Sequence, residues 1–258
     1  MKNVKANILL IGLLAFILVF PTVALAEEES LKDGMISHWT LDDFFISDDT
    51  VFDSYSDKQG TIFGATSVDA NESEIAQSLY FDGSSWVDLG DGSSIAGATA
   101  FSISVWVKSD STGLDSTIWR ARDTDDMMLR YDEVGWKSGE DDVIQFDVDT
   151  NENTENAGTP SSGRARLESS PDKQTTEWQH LVATWNGSDL SLYINGNQDG
   201  YSIMIPNYGG GLYADRNLLA AAGNQDFWNG KLDEVAFWSR ALSGDEISDI
   251  YDNGIPVT

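Results

Sequence analysis

The chain has no cysteine and only two histidines, His38 and His180, among 258 residues. Without a thiol there is neither a disulfide framework nor a cysteine nucleophile, so the fold must rest on its hydrophobic core, with a metal as the remaining kind of staple. Positive charge is scarce as well: 15 Lys and Arg stand against 43 Asp and Glu, a formal net charge of −28. Such a surface repels a phosphate backbone and an anionic lipid headgroup, which argues against nucleic acid as a partner. Most of these carboxylates read as solvated surface; the rest are ready ligands for a hard cation such as Ca²⁺.

Long apolar runs are missing after the first few residues. Ile8 to Phe20 is apolar or glycine throughout, the length of a signal-peptide core and short for a membrane span. Lys2 and Lys5 precede it, and Ala24-Leu25-Ala26 offers a small-x-small cleavage site before Glu27. We read residues 1–26 as a secretory signal peptide and residues 27–258 as one secreted domain that does not span a membrane. The alternative is an uncleaved anchor continuing through Pro21 to Ala26.

Aromatic residues are abundant, with nine Trp, eleven Phe and eight Tyr. Rings of this size bury much area each, which makes disulfides dispensable. Strand signals run along nearly the whole chain. Phe101 to Lys108 is the clearest: Phe101, Ile103, Val105 and Val107 share one face by period two, and Trp106 on the other face suggests a strand covered on both sides. Met35 to Leu41, Ser78 to Leu89, Ser116 to Arg122, Met127 to Tyr131, Val143 to Val148, Trp178 to Trp185 and Leu190 to Ile194 are further strands. Asn186-Gly187-Ser188-Asp189 and Asn195-Gly196 supply turns. Near the end, Phe227 to Trp238 reads as a strand and Gly244 to Tyr251 as the one helix. That helix opens on a Ser243/Glu246 capping box and stops at Asn253-Gly254. Asp149 to Ser162 is polar and reads as a long loop within one domain. The pattern predicts an all-β fold, a sandwich or jelly roll, with one short C-terminal helix.

Six blocks in order carry a family resemblance. They are Gly34 to Asp42, Asp53-Ser54 with Gly60 to Ala65, Leu79 to Gly90, Phe101 to Lys108, Trp178 to Gly196, and Phe227 to Gly254. Together they resemble the laminin-G-like, concanavalin A-like jelly-roll family over nearly the whole predicted mature chain, which implies a two-sheet antiparallel jelly-roll sandwich with one short C-terminal helix. Residues 110–170 follow no pattern of that family. The resemblance implies members that bind glycans, members that bind proteins, and accessory domains of enzymes. It also implies a structural Ca²⁺ near the first and last strands, with Asp42 and Asp233 at the matching positions. Backbone carbonyls such as that of Gly60 would supply part of the remaining shell, and the alternative is that the two carboxylates cap strand ends or bond the backbone.

Catalysis finds little support in the residues. Both histidines lie in strand patterns, where packing is the plainer role, and no G-x-S-x-G elbow is present. Asp147 and Asp149 share a strand face and Glu152 follows, an arrangement similar to the paired carboxylates of jelly-roll glycoside hydrolases. The first position of that motif is normally Glu, and the segment runs into a polar loop. For glycan binding the candidates are Trp119 beside Arg120 and Arg122, Trp136 beside Lys137, and Tyr208 and Tyr213 in a glycine-rich loop. For Trp119 and Trp136, which sit in or near strand patterns, a place in the core is the stronger reading. The expectation is therefore a non-enzymatic module for an extracellular glycan or glycoprotein. A structural or adhesive protein-binding module is the first alternative, and a glycan-cleaving enzyme is the second.

Overall fold

The computed structural model describes residues 30–68, 77–121, 127–135, 141–149, 164–204, 212, 214–221 and 226–256. The expected signal segment, Trp136, Glu152, Tyr208 and Tyr213 lie outside them. In chain order the strands are β1 (Met35–Trp39), β2 (Ile46–Ser47), β3 (Thr50–Phe52), β4 (Gln59–Phe63), β5 (Thr66–Val68), β6 (Ser78–Asp82), β7 (Trp86–Asp88), β8 (Phe101–Ser109) and β9 (Ser116–Arg120). There follow β10 (Met128–Val134), β11 (Asp141–Asp149), β12 (Arg164–Glu168), β13 (Gln179–Trp185), β14 (Leu190–Ile194), β15 (Asn197–Asp199), β16 (Tyr201–Met204), β17 (Leu218–Leu219) and β18 (Asn229–Trp238). One helix, α1 (Gly244–Asn253), follows β18.

Two antiparallel sheets form a sandwich. The smaller runs β15-β14-β13-β8-β18-β6-β5, with β1 also on β18; the larger runs β16-β12-β11-β10-β9-β17-β7-β4-β3-β2. The inward faces close over one core that includes Trp39, Phe81, Phe101, Trp119, Phe146, Trp185, Trp228 and Phe237. Five tryptophans, Trp39, Trp119, Trp185, Trp228 and Trp238, have almost no exposed surface. Each fully buried Phe or Leu alone contributes roughly 1.5–3 kcal/mol, which is how a chain without disulfides holds together.

The central strand β8 lies between β13 and β18, in register from Phe101↔Trp185 to Val107↔Gln179 on one side. Its Phe101, Ile103, Val105 and Val107 face the main core, as the period-two pattern predicts. Its other face is covered too. There α1 lays Ile247 and Ile250 on Val182, Ala236, Trp238 and Leu242, and the Trp106, His180 and Tyr251 rings stack. The helix begins where the sequence places it. Glu246 N–H donates to Ser243 Oγ at 3.3 Å, and Ser243 N–H donates to Glu246 Oε2 at 2.8 Å. Arg240 forks onto Glu246 and also donates to the carbonyls of Ser30 and Asp33, tying the first described residues to the last element. Burial alone would raise the Glu246 carboxyl, but Arg240, Ser243 and Ser30 outweigh it and hold it down at about 2.

Among the register shifts of the described strands, two decide where site residues point. In β18 the register shifts between Asp233 and Ala236, and Glu234 takes φ 49°. Leu232 and Val235, three residues apart, consequently both face the core. In β9 the register on β10 jumps from Trp119↔Leu129 to Thr117↔Arg130, so Ile118 and Trp119 both turn inward.

Candidate functional site

The β9 bulge decides the fate of the first predicted ligand residue. Trp119 is 0% exposed, stacks on Phe101 with ring centroids 5.4 Å apart, and donates its indole N–H to Asn217 at 2.8 Å. It offers no surface to a glycan, so the expectation for Trp119 is corrected: it is a core ring with its one polar atom satisfied. Trp136, Tyr208 and Tyr213 lie outside the described residues.

The predicted cation ligands fall at two different places. Asp42 and Asp233 both sit where the edge of β18 passes from β6 to β1. Asp42 Oδ1 accepts the N–H of Gln77, just ahead of β6, and Asp233 Oδ1 accepts the N–H of Glu234. Gly60 belongs to the other sheet, paired with Val51. A Cβ there would meet the Asp88 carbonyl at 2.9 Å and Leu89 at 2.9 Å, so close packing of β4 on β7 accounts for this glycine. Among the described residues no group of three His, Cys, Asp or Glu comes together to hold a metal.

Both histidines are packed strand residues, as expected. His38 Nε2 lies 2.5 Å from Glu234 Oε2, a buried pair that the β18 bulge makes possible, and the His38 N–H donates to Asp53. His180 Nε2 lies 2.8 Å from Ser104 Oγ, and burial holds its imidazole down at about 3.

The outward face of the larger sheet holds most of the remaining chemistry. One row of paired residues crosses it: Thr50, Thr61, Asp88, Leu218, Arg120, Met128, Asp147 and Arg166 stand side by side on eight successive strands. At the β10–β12 end this face is charged and buried. Asp147, Asp149 and Glu168 are each 0% exposed. Arg166 grips Asp147 with a two-point fork at 3.0 and 3.1 Å, and Gln145 donates to the same carboxylate at 2.6 Å. Arg130 pairs with Asp132 at 2.5 Å. Burial pushes the Asp132 carboxyl up although Arg130 opposes it; burial also pulls Arg166 down, and Asp147, Glu168 and Asp132 more than restore it. Asp147 and Asp149 do share a face, as the sequence indicates, but Asp147 is committed to its fork with Arg166.

At the β4–β7 end the same face is open and aromatic. Phe63, 41% exposed, stacks on its cross-strand partner Trp86 with centroids 4.7 Å apart and planes at 14°. Phe227 also borders Trp86, with centroids 6.1 Å apart and planes tilted by 44°. Two residues along each strand, about 7 Å away, lies the polar row of Thr61 and Asp88, with Phe52 and Gln59 as the next row. Asp88 Oδ1 accepts the N–H of Gly90 at 2.8 Å. This group is not among the ligand residues expected from the sequence. Its signal was present in Thr61-Ile62-Phe63 and Trp86-Val87-Asp88, where alternation puts a polar and an aromatic residue on the face opposite Ile62 and Val87.

Solved structures share this fold. Domain 4 of AbnA, an extracellular arabinanase of glycoside hydrolase family 43 from Geobacillus stearothermophilus, solved with arabinotriose, is 19% identical, with TM-score 0.61, over 84% of this chain and 98% of that one. The binding domain of Paraclostridial Mosquitocidal Protein 1 is 17% identical with TM-score 0.63, covering 86% of this chain and 52% of its own. The botulinum neurotoxin serotype D ligand binding domain, solved with N-acetylneuraminic acid, is 15% identical with TM-score 0.57, over 88% and 52%. The chain thus spans about half the length of the two toxin domains. At these identities the likeness is one of fold, and no curated protein matches the sequence. Residues 81–248 match the laminin-G-like family model Laminin_G_3, which includes the region 110–170 that the sequence reading left unplaced, and the chain belongs to that family, within the concanavalin A-like lectin/glucanases superfamily.

Proposed function

We propose that this chain is a secreted, non-catalytic binding module that recognises an extracellular carbohydrate or glycoconjugate through the open end of its larger sheet. The observation that carries this reading is the Phe63–Trp86–Phe227 ridge beside Thr61 and Asp88. Exposed rings next to polar groups are what a sugar needs, since each pyranose has an apolar C–H face and a rim of hydroxyls. Relatives in fold have been solved with arabinotriose and with N-acetylneuraminic acid, which supports the same reading. The non-catalytic part is supported by the commitment of Asp147 to Arg166 and by the burial of Asp149 and Glu168, because a glycosidase must bring two carboxyl groups to the glycosidic bond. A glycan array probed with the mature chain is expected to retain sugars, and Trp86→Ala is expected to lose them with its circular dichroism unchanged. Release of reducing sugar from the retained glycans would overturn the non-catalytic reading.

A protein-binding role is the second reading, favoured by Phe44, which is 88% exposed with its ring edge-on to Phe45. Phe44→Ser separates the two, because it removes a protein contact and leaves glycan retention intact.

Calcium is a further part of the proposal. It rests on Asp42 and Asp233 bordering the same strand junction and on the oxygen-rich composition, with backbone carbonyls completing the shell. A cation bound only by the folded state adds about 2.7 kcal/mol at a hundredfold excess over Kd. At matched ionic strength, Ca²⁺ should therefore raise the melting temperature above its value in EDTA, and Asp42→Ala should remove the difference. Superimposable curves in the two buffers would remove calcium from the account.

A further inference from the structure

Resting on the carbohydrate-binding reading, we infer that the ligand of the β4–β7 face is a neutral glycan and that Asp88 makes this choice. Strands β3, β4 and β7 carry no Lys or Arg. The neighbouring Lys58 is turned away: its ammonium donates to the Ile36 carbonyl at 2.6 Å, and burial lowers its pKa even though Asp53 opposes this. At this end of the row the charge is carried by Asp88, half-buried between Thr61 and Leu218; the next charged residue along it, Arg120, lies two strands on and is itself buried. An ionised carboxylate only accepts hydrogen bonds, so a ligand over it must bring donors. Sugar hydroxyls supply them. A uronate, sialate or sulfate brings a second anion to strands that offer it no Lys or Arg, with Arg120 of the same row buried, against a chain of net charge −28. The ridge adds shape. Phe63 and Trp86 stand stacked as a wall along one side of the row, so a sugar lying on Thr61 and Asp88 sets its C–H face against the rings. Phe52, half-buried on the next row, borders the far side.

The test uses the full mature chain and two families of probes in isothermal titration. Neutral oligosaccharides are arabinan, galactan, glucan and mannan fragments; acidic ones are oligogalacturonate, sialyllactose and a heparin fragment. Wild type should bind at least one neutral probe and bind every acidic probe about tenfold or more weakly at low salt, with the gap narrowing as salt screens the repulsion. Asp88→Asn keeps the side-chain oxygen that accepts from Gly90 and removes the charge, so it should shrink the neutral-to-acidic ratio while the melting temperature stays within a few degrees. Trp86→Ala should abolish neutral binding. Acidic probes binding as tightly as neutral ones, or a ratio untouched by Asp88→Asn, would overturn the inference and leave the carbohydrate reading standing. Binding of neither family would overturn the carbohydrate reading itself.

Discussion

Burial keeps His180 neutral down to about pH 3, against 6.5 in an unfolded chain. Between those values the unfolded chain takes up a proton that the folded one refuses, so stability falls as pH drops from 6.5. His180→Gln removes this proton uptake. The melting temperature of the variant should therefore change less between pH 7 and pH 5 than that of wild type, whatever its absolute value; equal slopes would show that His180 is not the titrating group. The same residue shows what was legible at this scale. His180 lies between Gln179 and Leu181 in an evident strand, so a packed role could be read directly. Trp119 is the contrast. Its flanking Arg120 suggested an exposed ring, and only the extra residue at Ile118, which turns two successive side chains inward, makes it core. A bulge is set by the pairing of distant strands and leaves no mark within the strand itself.

Single elements were easiest to read where their signals are local. The Ser243/Glu246 box specifies α1, and the alternation of β8 specifies a strand buried on both faces. Val105 is 0% exposed at the centre of that strand. Val105→Asp would bury an uncompensated charge and is expected to cost about 3–5 kcal/mol, read as a lowered urea midpoint. A midpoint equal to wild type would mean that β8 is not the inner strand. What stayed hidden was which face of β4 and β7 meets water. Each strand taken alone is short, and a three-residue strand such as Trp86–Asp88 has too few turns of the pleat to announce an orientation. Pairing Phe63 with Trp86 joins residues more than twenty positions apart, and no window of sequence brings them together.

For the molecule as a whole, the fold class and the family were readable because six weak blocks recur in one order. The site was not, because it is assembled from cross-strand rows. Export is a property of this scale. If residues 1–26 are removed, as proposed, N-terminal sequencing of the secreted product reads Glu-Glu-Glu-Ser; a product that retains Met1 in a membrane fraction would refute it.

The place of β18 has a consequence for how the protein comes into being. This strand, the last in chain order among those described, sits beside β8 on one edge and hands its other edge from β6 to β1. Gly230 marks how tight the fit is, since a Cβ there would lie 2.2 Å from the Lys108 carbonyl. Until residue 238 exists, three earlier strands wait for a common partner, and Trp238 has not yet capped Leu31 through its indole N–H. A growing chain therefore completes its smaller sheet only after residue 238 has emerged. A chain cut short before Asn229 lacks the strand that β1, β6 and β8 share, and so cannot close this sheet over its core.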